Sequence, residues 1–131
     1  PGTADAPLTV MQTLPISGVI VVFTPQDLTA MIVRKAVKMA QQMDKKVLGV
    51  VENMSYLYLK DLDRKIEIFG KSRGAEMAAA AHAPLLGQIP LVQSVCESGD
   101  AGRPAALNAD TVMGQAFRQL AAAVQERLEK R

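Results

Sequence analysis

Apolar residues fall into two patterns along this chain. Val19–Phe23, Val47–Val51 and Leu85–Ile89 are short continuous runs without helical spacing. Such runs suit strands covered on both faces, as in a parallel sheet. The stretches around them are periodic instead. From Thr24 to about Met43, Leu28, Met31, Ile32, Ala36, Met39, Ala40 and Met43 recur on one helical face, with Arg34, Lys35, Lys38 and Gln42 elsewhere. Thr24 is placed to cap that helix, Pro25 to occupy its first position and Asp27 to act as a capping-box acid. Strand, helix and strand then follow within 40 residues, which is a βαβ unit. The pattern predicts an α/β fold: a mainly parallel sheet with helices on both faces.

Shorter helices complete the picture. Asp5 can cap a helix running to Leu14, with Leu8, Met11 and Leu14 inward. Ser72 to Ala81 is a second candidate, and Val92 to Ser98 a helical turn. A last helix starts near Asp110, with Met113, Phe117, Leu120, Val124 and Leu128 as its inward stripe. Tyr56 to Phe69 breaks the periodicity. Tyr56–Leu59 and Lys65–Phe69 are β-like, and Lys60 to Arg64 is a polar turn between them. This predicts a small hairpin beyond the sheet, with more apolar surface than a lone ribbon buries.

Composition narrows the class. The 131 residues are 49% hydrophobic, with a net charge of +2. That is enough for one domain, residues 1–131, with a real core. Lys and Arg are scattered, so neither a nucleic-acid stripe nor a polybasic membrane patch is expected. No apolar run approaches a membrane span. The single Cys allows no internal disulfide, which favours a cytoplasmic location.

Candidate chemistry concentrates after the second apolar run. Glu52, Asn53 and Ser55 follow Val51 where a strand would leave the sheet. Ligands of open α/β sheets sit beyond the carboxyl ends of the strands. The Asn53 amide offers an acceptor beside a donor, a match for an adenine edge; the alternative is that Asn53 only caps or turns the chain. Lys71 or Arg73 could meet a phosphate, or simply solvate a helix start. His82 has no partner for catalysis. Cys96 cannot assemble a four-thiolate site alone, and two copies would supply only two thiolates. No G-x-x-x-x-G-K-[ST] loop occurs in the sequence, so a phosphate cradle in the intact protein is expected upstream of Pro1.

Five segments occur in order: Pro1-Gly2-Thr3-Ala4-Asp5, Thr24-Pro25-Gln26-Asp27, Glu52-Asn53-Met54-Ser55, Ile68-Phe69-Gly70-Lys71 and Gly87-Gln88-Ile89-Pro90-Leu91. Together they resemble the C-terminal portion of an Mrp/ApbC-type ATPase, a branch of the MinD/ParA-like P-loop proteins, over Pro1 to about Leu107. The resemblance implies ATP and Mg²⁺ as ligands, a homodimer, and a task in iron–sulfur cluster carriage to apoprotein clients. It places Gly2 and Thr3 at the end of switch II near the γ-phosphate, Asn53 at the adenine, and Pro90 and Leu91 in the loop packed on the base. The Asp that would help position Mg²⁺ precedes residue 1. Many such proteins bridge a [4Fe–4S] cluster through a Cys-x-x-Cys between the Asn-Met-Ser and Ile-Phe-Gly segments. Tyr56 to Glu67 stand there in this chain, without Cys, which argues against a cluster of its own. Two other readings share the fold: a MinD/ParA-like ATP-dependent positioning protein, and a non-catalytic interaction domain. The first is weakened by a last helix that is not a basic membrane-targeting one.

Overall fold

The computed structural model describes residues 5–130. Gly2 and Thr3, two of the expected phosphate-side residues, lie outside them. A parallel sheet of three strands forms the centre: β1 (Val19–Phe23), β2 (Val47–Glu52) and β5 (Leu85–Gln88), in the order β1-β2-β5. β2 is the middle strand, and all but its first residue are buried. Its alternation sends successive side chains to opposite faces. Val50 joins Val21 and Phe23 against α2 (Thr29–Gln42) and α3 (Gly74–Ala81), where Val33, Val37 and Met77 close the core. Val51 faces the other way, with Leu86 and Ile89, onto Met113, Leu120 and Val124 of α5 (Val112–Glu129). The parallel, two-sided α/β architecture is therefore as the apolar runs predict.

The remaining elements are α1 (Asp5–Thr13), α4 (Gln93–Asp100) and a separate antiparallel hairpin, β3 (Leu57–Leu59) with β4 (Arg64–Ile66). The hairpin is shorter than the sequence pattern suggests, because Lys60–Leu62 closes it as a 3₁₀ turn and residues after Ile66 leave the ladder. It is also not free-standing. Leu57 bridges Leu91 in parallel, with the Leu91 amide donating to Tyr56 O (2.7 Å) and the Tyr58 amide to Leu91 O (3.2 Å). The ribbon thus extends the strand ends beyond the sheet.

Two expectations fail in α2. The helix begins at Thr29, not at Thr24-Pro25, and Thr24 does not cap it. The Thr29 hydroxyl instead donates to the carbonyls of Thr24 (2.8 Å) and Gln26 (2.6 Å), holding residues 24–28 as a turn. Of the expected stripe only Ala40 is buried. It faces the sheet with Thr29, Val33 and Val37, whereas Leu28, Met31 and Ile32 are at least half exposed. The helix carries two adjacent apolar stripes, and the β-branched one matches the Val21–Phe23 surface. The other faces the outer edge of β1. There Ile32 and Ala36 line a groove of about 430 Å³ together with Val10, Ile16, Val19 and Val22. In α5, Thr111 caps the first turn by accepting from the Gly114 amide (3.0 Å), and the expected inward residue Phe117 is 40% exposed.

Candidate functional site

The carboxyl ends of β1, β2 and β5 deliver three loops to one end of the sheet, and the start of α3 joins them. The loops are locked by continuing the strand ladder past the strands. The Asn53 amide donates to Phe23 O (2.7 Å), the Ile89 amide to Glu52 O (2.8 Å) and the Ser55 amide to Ile89 O (3.0 Å). Asn53 is thereby set beside the end of β1, and the Pro90–Leu91 segment runs alongside residues 53–56. Met54, not Asn53, takes the left-handed conformation (φ 53°) that makes the turn. Among the described residues the Asn53 side chain makes no hydrogen bond, and it is half-buried. A capping Asn would spend its side-chain oxygen on a nearby amide. This one keeps both its donor and its acceptor available.

Of the other two base-side candidates, Pro90 is fully buried, so it shapes the loop from within. Leu91 is half-buried and holds the surface position, with its backbone tied to the hairpin. Arg73 is committed elsewhere. Its guanidinium donates to the Asp27 carbonyl and carboxylate (both 3.1 Å) and in a fork to Glu76 (2.8 and 3.0 Å). The hydrogen bonds from Arg73 to Glu76 raise its pKa and keep it charged. It therefore fastens the 24–28 turn to α3, its guanidinium spent on the carboxylates of Asp27 and Glu76 and not held out toward a phosphate. Lys71 is exposed. No group of three or more His, Cys, Asp or Glu converges on a metal position among the described residues. Cys96 is exposed on α4.

The residue that sequence reasoning passed over is Glu52. It stands two positions after Val50 on the same face of β2, and it is completely buried. The Ser55 hydroxyl donates to Oε1 (2.5 Å), the Gln88 amide to Oε1 (3.1 Å) and the Arg73 backbone N–H to Oε2 (2.7 Å). The same Gln88 amide reaches Ser72 Oγ (2.8 Å), which in turn accepts from the Gly74 N–H (3.2 Å). Burial pushes the Glu52 carboxyl up, but hydrogen bonds from Ser55, Ser72, Arg73 and Gln88 outweigh it and hold the group below its ordinary value. The available signal was a carboxylate directly abutting a fully apolar strand, where an unpaired charge is costly unless partners are provided.

Comparison with known proteins places the chain in a family. Residues 1–125 match the family model for ParA, described as NUBPL iron-transfer P-loop NTPase. Iron–sulfur cluster carrier proteins are similar over much of the chain. The one from Synechocystis sp. is 45% identical over 79% of this chain and 30% of its own length. That from Aquifex aeolicus is 37% identical over 100% of this chain and 36% of its own. That from Pyrococcus horikoshii is 38% identical over 99% and 44%. The chain thus spans less than half the length of these relatives. Among solved structures, a nucleotide-binding protein from Archaeoglobus fulgidus, in complex with ADP, matches with TM-score 0.70 and 41% identity, over 79% of this chain and 42% of that one. The MinD cell division protein of Aquifex aeolicus matches at TM-score 0.64 over 86% of this chain and 45% of its own. At 16% identity that likeness concerns the fold alone.

Proposed function

This chain belongs to the ParA family of NUBPL iron-transfer P-loop NTPases, and from that membership we propose that it forms the base-binding end of an ATP-binding and ATP-hydrolysing protein that works in iron–sulfur cluster carriage. The observation that carries the assignment to particular residues is the half-buried Asn53 amide. It stands at the carboxyl end of the central strand with neither its donor nor its acceptor used among the described residues. Its acceptor and donor pair with the amine and ring nitrogen of adenine, and Leu91 supplies the apolar neighbour. Relatives called iron–sulfur cluster carriers and an ADP-bound structural neighbour support the same reading.

The division of labour follows from what the chain holds. When bound, ATP supplies the phosphoanhydride whose hydrolysis switches the protein, and a P-loop outside this sequence would cradle its phosphates. Asn53 and Leu91 hold and orient the base. Gly2 and Thr3 are assigned to the γ-phosphate side through the family pattern. Mg²⁺ is given no ligand among the described residues, because no carboxylate set converges there. The chain's place as the C-terminal portion of a larger domain is supported by the open outer edge of β1 and the apolar groove beside it, where further strands of the intact protein would complete the sheet. We further propose that the intact protein works as a homodimer in the cytoplasm and hands its cargo to apoprotein clients. The cargo is not held by this segment alone, which brings a single Cys.

The test is ADP titration by calorimetry on the intact protein. Asn53→Ala should weaken ADP binding with the fold unchanged. An amide pair to a base edge contributes about 1–3 kcal/mol, hence roughly a fivefold to hundredfold loss of affinity. Equal affinity in variant and parent would return Asn53 to a turn-forming role and remove the base site from this loop.

A further inference from the structure

We infer that Glu52 is a positioning residue for nucleotide binding: its buried carboxylate fastens together the three segments that form the base-binding end, residues 53–55, 72–74 and 88–91. The inference rests on the nucleotide reading above. Each segment reaches the site from a different part of the chain. Residues 53–55 leave β2, residues 72–74 start α3, and residues 88–91 leave β5. A single side chain accepts from all three, through the Ser55 hydroxyl, the Arg73 N–H and the Gln88 amide.

Two features separate this arrangement from ordinary core packing. First, Glu52 is completely buried, and no Lys or Arg side chain pairs with it among the described residues. Arg73 turns its guanidinium to Asp27 and Glu76 and offers Glu52 only its backbone. An unpaired buried anion is tolerated only where neutral donors surround it closely. The position is therefore an expensive one for a residue whose sole role is filling space. Val50, on the same face, fills space without that cost. Second, an ionised carboxylate accepts only, so its partners are forced to present donors. Gln88 must turn its NH₂ inward, where it bonds both Glu52 and Ser72, and its carbonyl oxygen outward. The orientation of Gln88, two residues before Pro90, is thereby fixed by charge as well as by shape.

The consequence is a coupling. Asn53 follows Glu52 directly, and its loop is closed by the Ser55–Glu52 bond. Removing the charge should let the loop sample other conformations, so that the Asn53 amide no longer meets the base at fixed geometry. The experiment is a double-mutant cycle on the intact protein: parent, Glu52→Gln, Asn53→Ala and the double variant, each titrated with ADP and each checked for melting temperature. Glu52→Gln keeps the size but places an NH₂ among donors. We expect it to lose roughly tenfold in ADP affinity, and Asn53→Ala to cost less than about twofold further in that background, since residues acting as one unit are not additive. A purely structural Glu52 would lower the melting temperature and leave the two affinity losses multiplicative, which would overturn the inference. So would parent-like ADP affinity in Glu52→Gln. If Asn53→Ala alone is silent, the base-binding reading itself falls and the inference falls with it. Gln88→Met guards against a variant that fails to fold. Its side chain lies at the exposed rim of the network. It should fold as the parent does and lose affinity several-fold. Unchanged affinity there, with Glu52→Gln unfolded, would also refute the positioning role.

Discussion

Gly49→Ala should destabilise the protein out of proportion to the single methyl it adds. Gly49 is buried in β2 between Leu48 and Val50. A Cβ there would lie 2.4 Å from Leu86 Cγ and 2.7 Å from the Pro84 carbonyl oxygen, well inside the 3.4 Å at which ordinary contact begins. Leu86 can swing away only by leaving a favoured rotamer, which costs about 0.5–1.5 kcal/mol. The Pro84 oxygen is backbone and already accepts from the Val50 amide at 2.9 Å. Moving it weakens that bond, worth about 0.5–1.5 kcal/mol. Against this, alanine recovers roughly 0.5–1 kcal/mol of backbone entropy relative to glycine. The balance centres on about 1 kcal/mol of destabilisation, at the low end of the usual range for overpacking. Urea denaturation of the intact protein gives the total, and amide exchange at Val50 gives its location. The functional corollary is that the start of β5 moves and carries Gln88 to Leu91 with it, so ADP affinity should fall as well. A variant as stable as the parent, with Val50 equally protected, would refute the reasoning. It would mean that the β2–β5 spacing is not set by Gly49.

Three further outcomes are expected. Because Glu52 has its folded pKa below the ordinary 4.5, its hydrogen bonds contribute stability that is present above the unfolded value and lost as pH falls through the folded one. Arg73, which donates its backbone N–H to Glu52, and its partners Asp27 and Glu76 are present in both proteins. Glu52→Gln should therefore show a shallower loss of stability below about pH 4.5 than the parent, and parallel acid curves would contradict it. The 131-residue chain by itself should show no Mg²⁺-dependent ATP turnover, because it has no phosphate cradle; measurable turnover by the purified chain would overturn that division of labour. Ile66, at the end of the hairpin, and Ile68, in the turn just after it, are 37% and 49% exposed and are expected to contact a second copy, so changing both to Ser should weaken ATP-dependent association in sedimentation. Association as tight as the parent's would remove the hairpin from the interface.

The sheet was legible because its signal is redundant. Val19–Phe23 and Val47–Val51 are apolar throughout, the pattern of strands in a parallel sheet, although Val22 at the open side of β1 is 59% exposed. The helices were less legible where one sequence carried two solutions. Leu28, Met31 and Ile32 form as good a stripe as Thr29, Val33 and Val37, and only the shape of the sheet selects the second. The start of α2 was hidden for a similar reason. Thr24-Pro25 has the local chemistry of a helix start, but the Thr29 hydroxyl competes for the Thr24 and Gln26 carbonyls from five and three residues away. In the site, Asn53 could be found from its place after the strand. The Glu52 network could not, because its partners at 55, 72–73 and 88 come together only once the sheet and α3 are assembled.

That network also explains how a rigid sheet hands over to the proposed binding loop within two residues. Val50 and Glu52 share a face and are equally buried, yet one ends the apolar core and the other begins a polar cluster. What changes between them is the neighbour. Val50 lies under the body of α2 and α3, where backbone groups are already paired within the helices. Glu52 lies under the first turn of α3, where backbone N–H groups have no partner within the helix. The Arg73 N–H fills its need there, and the positive end of the helix dipole adds to the attraction. The carboxylate is therefore stable only at the end of β2 that faces this helix start. One residue further along, the chain must leave the sheet, and it does so already anchored. Asn53 inherits a fixed origin from Glu52 on one side and Ser55 on the other, with its own amide bonded to Phe23 O. Backbone held at both ends of a three-residue turn has little further freedom to lose on binding, which is the condition for the small polar side chain it carries to select a partner.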